Sequence, residues 1–546
     1  MLTRMILSLV AVLGWSLSAQ AATKRYMVTF QDEGTFYEVA QSFKGGMNLF
    51  STGVAQAVSQ AALDVEVLDQ VGMLVVTADS RGIAQLENLS KVAHIEEEQF
   101  FPAPTPIGTF SNLAPTAISA LPTNIERPWG IDAVKAPAAW NVTEGDDVLV
   151  VVIDTGLDET HPAIASRFVK GISFLDGASS DFSDAVGHGT HVAGTILADG
   201  ENGGLIGVAP KAKLMAAKVC GSLGCSTVAI ASAVNWSVEQ GAQVVNMSLG
   251  GPFMTFGERK AYDAAEAAGT MIVAASGNDG KGKVSFPAAY TTTFAVGAVN
   301  PDLSKAGFSQ WGPELDIVAP GVDVLSSVPL GSGRASTVNV DFGSGPEVLK
   351  STSFQGSAVT TVDGLNLVYA GLGKPEDFDG LDLRGKVALI SRGEIRFSEK
   401  AQNAIRAGAE AIMIFNNEPG LIQGALTEDG SELAIPVVMV EQVPGNKMKE
   451  LLAQGNELST SMGVVPADYA SFQGTSMATP HVAGVAALVR GANPSLTPAQ
   501  VRAILKETAT SMTPNEENQL GSGLVNADLA VQAARDASFL GRVAGF

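Results

Sequence analysis

Cysteine, histidine and positive charge are all scarce in this chain of 546 residues. Two cysteines are too few for a scaffold held by disulfides, and neither a C-x-x-C spacing nor a Cys/His cluster indicates a structural zinc site. With 34 basic against 56 acidic residues, the net charge of −22 disfavours nucleic acid and anionic membranes as partners. A chain of this length predicts about three folding units.

Long apolar runs are also scarce, and the first of them is short. Residues 1–4 include an arginine, residues 5–17 are mostly apolar, and Ala19-Gln20-Ala21 follows. This order is typical of a secretory signal peptide cut after residue 21, whereas a membrane anchor, the alternative, needs a longer run. No other stretch is long enough to span a bilayer, so we predict a soluble protein that is secreted to the extracellular space, passing through a periplasm where there is one. In that oxidising setting Cys220 and Cys225 are expected to pair.

The next region, from Tyr26 to Glu98, has a compact α+β pattern. Strands are predicted at 26–30, 65–68, 73–77 and 92–96, with helices at 52–62 and 81–89. Two βαβ halves in about 75 residues predict a small ferredoxin-like unit. Residues 102–128 are rich in proline, alanine, serine and threonine and predict an exposed linker open to proteolysis.

A second organisation begins near Trp129. Residues 148–153 form a continuous apolar, β-branched run, which is typical of a strand buried on both faces of a parallel sheet. Alternating strands and helices follow, with strands at 213–219, 244–247, 271–275 and 293–299 and helices at 227–240 and 257–268. This alternation predicts a doubly wound, mostly parallel α/β sheet, whose reactive groups gather at the carboxyl ends of the strands. Asp154 and Asn278 both follow such strands.

After residue 329 the composition shifts to glycine, serine, threonine and acidic residues. Strands are predicted at 386–391, 411–415 and 435–440, and helices at 398–407 and 445–452. The first of these helices is expected to be capped by Ser398 and closed by Gly408. The pattern predicts a self-contained module over residues 331–466, and a helix at 498–508 then leads towards the end of the chain.

The stretch Gly474-Thr475-Ser476-Met477-Ala478-Thr479-Pro480 places a hydroxyl at a helix N-terminus, because apolar residues recur at helical spacing from 482 to 489. Unpaired N–H groups and the helix dipole would stabilise negative charge beside Ser476. Pro480 is expected in the first turn, where a missing N–H costs little. The plain alternative is a helix cap, since a serine nucleophile needs a base and an orienting acid.

His188 is the best placed of five histidines to be that base, because flanking glycines permit close approach at a helix entry. Asp154, at the end of a buried strand, would orient the imidazole. Asn278, in a glycine-rich turn, is a candidate neutral donor to a developing oxyanion. The alternatives are a histidine satisfied in the core and an asparagine that only shapes a tight turn.

Four ordered motifs resemble the signatures of subtilisin-like serine proteases (subtilases, the peptidase S8 family). They are Asp154-Thr155-Gly156, His188-Gly189-Thr190-His191, Asn246-Met247-Ser248-Leu249-Gly250-Gly251, and residues 474–480. The order Asp, His, Ser is that of subtilisin. The resemblance covers about residues 129–330 and 467–535.

The resemblance implies a role for each residue. Ser476 would attack the scissile carbonyl, His188 would act as general base and then acid, and Asp154 would orient His188. Asn278 and the Ser476 backbone N–H would bind the oxyanion, and the chemistry would require no cofactor. Protein or peptide substrates would bind extended.

The resemblance also implies that Ser248-Leu249-Gly250 pairs with the substrate backbone and, with Ala274-Ala275-Ser276, walls the S1 pocket. These residues are small or apolar and include no acid. We therefore predict a broad preference for large apolar P1 residues.

Rival chemistries have less support. No H-E-x-x-H motif occurs, and His188 and His191 make a poor zinc pair beside a complete triad. Ala478 stands where a G-x-S-x-G elbow needs glycine, which argues against an α/β-hydrolase esterase. A pseudoprotease that only binds peptide is disfavoured because every catalytic position is filled.

The flanking parts resemble known accessory domains. Residues 22–100, ending in His94-Ile95-Glu96-Glu97-Glu98, resemble the inhibitor I9-type propeptide, which implies a folding aid and intramolecular inhibitor removed by autocleavage between Gln99 and Arg127. A stable accessory domain is the alternative. Residues 385–393 and 407–411 resemble the protease-associated (PA) domain inserted in some subtilases, which implies a module that binds or gates substrate, or else a passive spacer.

Two departures limit the comparison. Many subtilases bind calcium through an aspartate after a His-Pro pair, but here Ala163 follows His161-Pro162. The companion loop keeps its length and offers Glu201, so a structural calcium ion stays an open possibility and the metal ligands are unknown. The Cys220–Cys225 pair lies where the family has a loop at the edge of the cleft, so a disulfide there would stiffen subsites distant from the cut.

The predicted organisation has six parts. They are a signal peptide (1–21), an inhibitory propeptide (22–100), a linker with the maturation site (101–127), the first part of the catalytic domain (128–330), the inserted PA domain (331–466) and the second part of the catalytic domain (467–546).

Overall fold

The computed structural model describes residues 22–44, 53–104, 107–109, 127–201, 204–354, 356–422, 426–427, 431–536, 539 and 541. The predicted signal peptide and residues 110–126 of the predicted linker lie outside these ranges. Within them, no helix combines the length and the apolar character needed to cross a bilayer. The chain divides into two compact units, residues 1–98 and residues 99–546.

The first unit is a four-stranded antiparallel sheet with three helices. Its elements are β1 (Lys24–Phe30), α1 (Glu33–Lys44), α2 (Gly53–Ala61), β2 (Asp64–Leu68), β3 (Met73–Ala78), α3 (Ser80–Glu87) and β4 (Val92–Glu97). The strand order β2-β3-β1-β4 is that of a ferredoxin-like fold, as the sequence pattern predicted. Helix α1 was not predicted, although Phe36 and Val39 recur at helical spacing and are both buried.

The second unit begins with two short strands and the elements of a large sheet. These elements are β5 (Phe100–Phe101), β6 (Ile107–Thr109), α4 (Trp129–Ala133), α5 (Ala136–Ala139), β7 (Leu149–Asp154), α6 (Pro162–Ala165), β8 (Phe168–Ser173), α7 (His188–Leu197), β9 (Lys213–Lys218), β10 (Cys220–Gly221), β11 (Gly224–Ser226), α8 (Thr227–Glu239), β12 (Val244–Met247), α9 (Phe256–Ala267), β13 (Met271–Ala275), β14 (Thr293–Val299), β15 (Ile317–Pro320) and β16 (Val324–Ser327).

Seven of these strands form one sheet in the order β15-β14-β13-β12-β7-β9-β8, and every neighbouring pair is parallel. The central strands β7, β12 and β13 are buried almost throughout, because helices cover both faces. The predicted doubly wound α/β sheet is confirmed. Its topology brings the carboxyl ends of the strands to one edge, where the candidate site lies.

The inserted module has its own mixed sheet. Its elements are β17 (Gly333–Asp341), β18 (Pro346–Val348), β19 (Ser351–Ser353), β20 (Thr361–Tyr369), β21 (Lys386–Ser391), α10 (Phe397–Arg406), β22 (Ala411–Phe415), β23 (Val437–Val440), α11 (Gln442–Ala453) and β24 (Ser459–Ala467), with a short 3-10 helix at Pro375–Phe378. The strand order is β18-β17-β24-β20-β21-β22-β23-β19.

The predicted cap of the first helix in this module is wrong. Helix α10 begins at Phe397, so Ser398 lies inside its first turn, and Arg396 occupies the N-cap position. The first turn tolerates serine, and Glu399 supplies the reciprocal bond by accepting from the backbone N–H of Arg396 at 3.3 Å. Gly408 follows the helix with φ +89°, which fits the predicted end.

The chain then returns to the large sheet through β25 (Tyr469–Gln473), α12 (Thr475–Ala492), α13 (Pro498–Glu507), a 3-10 turn at Glu516–Asn518 and α14 (Ala527–Arg535). Helix α12 is buried from Thr475 to Arg490 and packs against α7. Gly484 lets α12 approach the segment after α7 closely, because a Cβ there would lie 2.5 Å from the Cβ of Val208.

Candidate active site

The four predicted catalytic residues meet at the carboxyl edge of the parallel sheet. Asp154 is the last residue of β7, His188 is the first residue of α7, Ser476 is the second residue of α12, and Asn278 lies three residues beyond β13. His188, Asn278 and Ser476 line one cavity of about 510 Å³. The insertion therefore separates Asn278 from Ser476 in sequence but not in space.

Asp154 and His188 form a buried pair. The Nδ1 atom of His188 lies 2.7 Å from Oδ1 of Asp154, and their side chains are 2% and 0% exposed. The same carboxylate oxygen accepts from the backbone N–H of Thr155 at 2.7 Å. A carboxylate can only accept here, so the proton sits on Nδ1 and leaves Nε2 as the basic nitrogen.

Asp184 holds the turn that leads into α7, and sequence reasoning missed it. Its buried carboxylate accepts hydrogen bonds from the backbone N–H groups of Val186, Gly187 and Thr190 and from the hydroxyls of Thr155 and Thr190, over 2.7 to 3.1 Å. These bonds tie the loop after β7 to the first turn of α7, and so fix where His188 begins. An aspartate four residues before the histidine was the available signal.

The predicted position of Pro480 is wrong, and the difference has a consequence for Ser476. Helix α12 already begins at Thr475, so Pro480 lies in the second turn. Because proline has no N–H, the carbonyl of Ser476, four residues earlier, lacks its usual helical donor. That carbonyl instead accepts from the hydroxyl of Ser248 at 2.7 Å. Pro480 thereby allows the Ser476 peptide to be anchored by Ser248, which directly follows β12 and lies 228 residues away in the chain.

The Ser476 hydroxyl also bonds to Ser248. Its Oγ donates to the backbone carbonyl of Ser248 at 3.1 Å, and the amide of Asn246 supports the Ser248 hydroxyl at 3.0 Å. Among the described residues, no hydrogen bond joins Ser476 to His188.

Asn278 is oriented by the residue before the serine. Its Oδ1 accepts from the backbone N–H and the hydroxyl of Thr475, at 2.8 and 2.9 Å. With the oxygen engaged in this way, the Nδ2 group remains as the donor towards the cavity, since an asparagine amide presents its oxygen and nitrogen on opposite sides. The predicted oxyanion donor therefore has its orientation set by the loop that carries Ser476.

Replacing Asn278 by alanine is expected to lower kcat by about 10²–10³ with little change in KM, because the amide bonds to charge that develops only in the transition state. Steady-state kinetics on one peptide substrate would measure both constants. Asn235 is a matched control, since it is a buried asparagine that bonds to Glu239 within α8. A raised KM with unchanged kcat in Asn278→Ala would contradict the assignment.

The cavity contains most of the predicted S1 wall, but not all of it. Ser248, Leu249, Gly250 and Ala275 line it, whereas Ala274 and Ser276 do not. Successive residues of an extended chain point to opposite sides, so Ala275 and Gly277 face the cavity while Ala274 and Ser276 are buried behind it. The lining residues that sequence reasoning did not assign to this pocket are Gly251, Pro252, Gly277, Asp279, Ser285, Gln310, Gln473, Thr475 and Met477. They include one acid, Asp279, which forms an exposed ion pair with Lys281.

Two described segments of the chain that precede the catalytic domain, residues 100–104 and 107–109, lie at this cavity and its neighbouring strands. Strand β5 pairs antiparallel with β11, and β6 pairs antiparallel with β25. Between them, Pro102, Ala103 and Pro104 line the cavity beside His188 and Ser476. The strands that pair with this peptide, β11 and β25, were not predicted as substrate strands.

Phe101 is fully buried, with no exposed surface. Its ring centroid lies 4.7 Å from that of Phe253. Two glycines make room for it: a Cβ on Gly251 would lie 2.3 Å from the Phe101 ring, and a Cβ on Gly224 would lie 2.2 Å from its carbonyl oxygen. The cleft therefore has an aromatic subsite next to β11.

The predicted disulfide between Cys220 and Cys225 is confirmed. It joins β10 to β11, and Cys225 is the residue paired with Phe101. Because β11 supplies the strand edge that holds the peptide, the disulfide stabilises the hairpin that forms this aromatic subsite.

The described residues of the calcium candidate do not form a metal cage. Asp199 uses one carboxylate oxygen to accept from the Ser166 hydroxyl at 2.5 Å and the other to accept from the backbone N–H of Glu201 at 2.9 Å. No group of three histidine, cysteine or acidic side chains suited to a metal occurs in the described ranges, and residues 202–203 of this loop lie outside them. No step of the chemistry is assigned to a metal.

Two further histidines are buried in neutral surroundings. His191 faces the carbonyls of Val324 and Ala470 at 2.9 and 3.1 Å and stacks on Phe472, and His481 lies against the backbone of α12. Burial lowers the pKa of His191 to about 3 and that of His481 to about 4.

These shifts predict acid sensitivity. The unfolded chain takes up protons near pH 6.5, whereas the folded chain resists them, so stability is fully present above that pH and falls as the pH drops towards 4. Each group contributes at most about 1.4 kcal/mol per pH unit. The urea midpoint of Ser476→Ala, which cannot digest itself, should fall between pH 7.5 and 5. His481→Gln should show a shallower fall, and an unchanged midpoint in the parent would contradict the prediction.

The fold and the site together define a class of protein. A doubly wound parallel sheet that carries an aspartate–histidine pair, a serine at a helix N-terminus and an amide donor at one edge is the arrangement of a serine endopeptidase.

Comparisons with known proteins agree with this class. The model of the subtilase family matches residues 145–354 and 430–523, and that of the PA domain matches residues 354–448. Subtilisin Savinase of Lederbergia lenta is 33% identical over 407 residues, which are 74% of this chain and 98% of that protein. M-protease of Shouchella clausii (strain KSM-K16) is 29% identical over 520 residues, which are 94% of this chain and 93% of that protein.

Among solved structures, the psychrophilic subtilisin-like protease Apa1 of the Antarctic Pseudoalteromonas sp. AS-11 is 29% identical, with a TM-score of 0.55, and the match covers 76% of this chain and 99% of that one. The chain belongs to the subtilase family of serine endopeptidases, with an inserted PA domain.

Proposed function

We propose that this subtilase hydrolyses peptide bonds of extended polypeptides through an acyl-enzyme on Ser476. His188 Nε2 takes the hydroxyl proton as Oγ attacks the scissile carbonyl, and then returns it to the leaving amine. Asp154 holds the Nδ1 proton and stabilises the imidazolium, while Asn278 Nδ2 and the backbone N–H of Ser476 bind the oxyanion. The observation that carries this assignment is the 2.7 Å contact between Asp154 and His188 at the cavity lined by Ser476 and Asn278.

A fluorophosphonate probe tests the nucleophile directly, because it forms a covalent bond with an activated serine only. Labelling of the wild-type enzyme and its loss in Ser476→Ala is the expected result. Ser285→Ala is the matched control, since Ser285 lines the same cavity but bonds to Gln310 and not to Ser476, so the variant should leave the label in place. A label that persists in Ser476→Ala would overturn the assignment.

Substrate choice follows from the cavity walls. Ser248, Leu249, Gly250 and Ala275 offer a small apolar surface, so we expect kcat/KM to be greatest for large apolar P1 residues in a peptide series that varies P1 alone. One methylene group changes such discrimination by about 10–200-fold. Asp279, the one acid in the lining, is already paired with Lys281 and therefore gives no strong preference for basic P1 residues. Strict preference for arginine or lysine would contradict the prediction.

The enzyme is made, in this proposal, as a secreted zymogen whose N-terminal unit is an intramolecular inhibitor. Residues 1–21 supply the signal peptide, and autocleavage between Gln99 and Arg127 frees the cleft. The support is the segment around Phe101: β5 on β11, Pro102 to Pro104 in the cavity, and β6 on β25. A chain held in this way blocks the cleft until the connection is cut.

A further inference from the structure

Two strands that are joined by a single residue link the cleft to the inserted module. Strand β25 lies at the cleft, and strand β24 belongs to the sheet of the PA domain. Only Asp468 lies between the two strands in the chain. In one sheet β25 lies between β16 and β6, and in the other β24 lies between β17 and β20. The peptide in the cleft and β20 of the PA domain therefore pair with two strands that are one residue apart in the chain.

The register of β6 on β25 shows in which direction a bound peptide runs along β25. Ile107 lies opposite Gln473, Gly108 opposite Phe472, and Thr109 opposite Ser471. Moving towards the C-terminus of the peptide, its partners move down the numbering of β25, towards Asp468 and the PA domain. The residues on the N-terminal side of the cut lead the other way, to β11.

The junction between the two sheets is held by hydrogen bonds rather than by a free tether. The carbonyl of Asp468 accepts from the N–H of Val328 at 2.9 Å and from Nε2 of His161 at 2.9 Å. Its carboxylate accepts from the N–H of Gly331 at 2.8 Å, and Asp158 accepts from the N–H of Leu330 at 2.9 Å.

His161 fits this role chemically. Its Nδ1 accepts from the N–H of Ala163 at 3.2 Å, which leaves Nε2 protonated to donate to Asp468, and its ring packs edge-on against Tyr469. Helix α7, which begins with His188, is bonded to β16, the strand that pairs with β25. The hydroxyls of Ser326 and Ser327 in β16 donate to backbone carbonyls of α7 at 2.7 and 3.0 Å. The start of the PA domain is thus fixed relative to His188.

We propose that the PA domain forms the far primed-side subsites of the cleft, so that it binds the part of a polypeptide substrate that lies C-terminal to the scissile bond. The inference rests on the proposed protease function. The position opposite Ala467 lies four residues beyond that of Thr109 in this register, or about nine residues beyond a cut next to Pro104. Substrates that extend this far meet β24 and then β20, while shorter ones do not.

Three fluorogenic peptides with one common cleavage sequence test the proposal. The first is short, the second carries twelve added residues on the primed side, and the third carries the same twelve on the non-primed side. We expect the primed extension to lower KM about tenfold, which is ~1.4 kcal/mol, and to leave kcat nearly unchanged, because remote contacts bind substrate and transition state alike. The non-primed extension should change KM less than about twofold. Equal gains from both extensions would overturn the proposal.

Deletion of residues 331–466 provides the matched enzyme variant, since it joins β16 to β25 as a short hairpin. It should hydrolyse the short peptide as the wild type does, but the primed extension should no longer lower its KM. A KM that is still lowered about tenfold by the primed extension would refute the proposal. Loss of short-peptide hydrolysis and of fluorophosphonate labelling would indicate misfolding, and the intact enzyme then decides the question.

The intact mature enzyme can be probed with non-hydrolysable peptides, in which the scissile amide is reduced to a methylene-amine. A photoreactive group ten residues to the primed side should cross-link to residues 331–466, and one ten residues to the non-primed side should not. Cross-links of the primed probe that fall only outside 331–466 would refute the proposal. In every outcome, the proposed triad is judged separately by hydrolysis of the short peptide.

Discussion

A Ser476→Ala chain, synthesised without other proteases, is expected to stay at precursor length, while the wild-type chain is shortened between Gln99 and Arg127. The reason is that residues 102–104 line the same cavity as Ser476, so the linker is presented to the chain's own nucleophile. Peptide hydrolysis should fall by about 10⁶ in kcat, since loss of the nucleophile removes the acyl-enzyme route. Intact mass and a peptide assay measure the two effects. Trimming of Ser476→Ala to the mature size would contradict autocleavage.

The proline pattern of this segment predicts that the cut is slow. Residues 102, 104 and 106 are proline, so every peptide bond from 102 to 107 has proline on one side. When proline follows the scissile bond, that bond is a tertiary amide. When proline precedes the scissile bond, the residue has no N–H that could donate to the carbonyl of Ser248, and this carbonyl accepts from the Ser476 hydroxyl. Pro104→Ala is the matched variant and should mature faster than the wild type. An unchanged rate would show that the prolines do not control maturation.

Replacing Asp154 by asparagine is expected to lower kcat by about 10⁴ at neutral pH while the fold is kept. Asparagine has the same shape, but its NH₂ group can face Nδ1 of His188, where the carboxylate now accepts at 2.7 Å. The imidazole then carries its proton on Nε2, towards Ser476, and cannot act as a base. Steady-state kinetics of the processed enzyme, matured with a helper protease where needed, measure the loss.

Asp184→Asn is the control for this effect. Asp184 is also buried and accepts several hydrogen bonds, but it bonds to the loop before His188 and not to the imidazole. Its loss displaces His188 slightly and should cost at most about 10² in kcat. A drop in Asp184→Asn as large as that in Asp154→Asn would mean that Asp154 acts through general packing. In that case the tautomer explanation would be wrong.

Much of the catalytic domain could be predicted because its signals are local. The run at 148–153 has the composition of a strand buried on both faces, and Asp154 follows it directly. Glycines around His188 marked a helix entry, and α7 begins at that residue. Each of these signals lies within a few residues of what it predicts. The motifs for Asp154, His188, Asn278 and Ser476 were therefore readable one by one.

Other features could not be read because they depend on pairs far apart in the chain. The start of α12 was misjudged, since the capping of Thr475 depends on Asn278, which is 197 residues away. The division of the triplet at 274–276 between cavity and core depends on the strand pairing around it. The role of Asp184 depends in part on its bond from Thr155, 29 residues earlier, which forms only when the loop after β7 packs against the start of α7.

The sequence by itself determined which side chains the proposed chemistry uses, on which strand or helix end each lies, and that a module interrupts the catalytic domain. Only the tertiary structure decided that residues 102–104 line the cavity and that Ser248 anchors Ser476, and only its strand register supports the proposal that the PA domain binds the primed side. The physical reason is one of range. Residue type and periodicity act over a turn or a strand, whereas strand register and side-chain anchors are fixed only when segments hundreds of residues apart pack together.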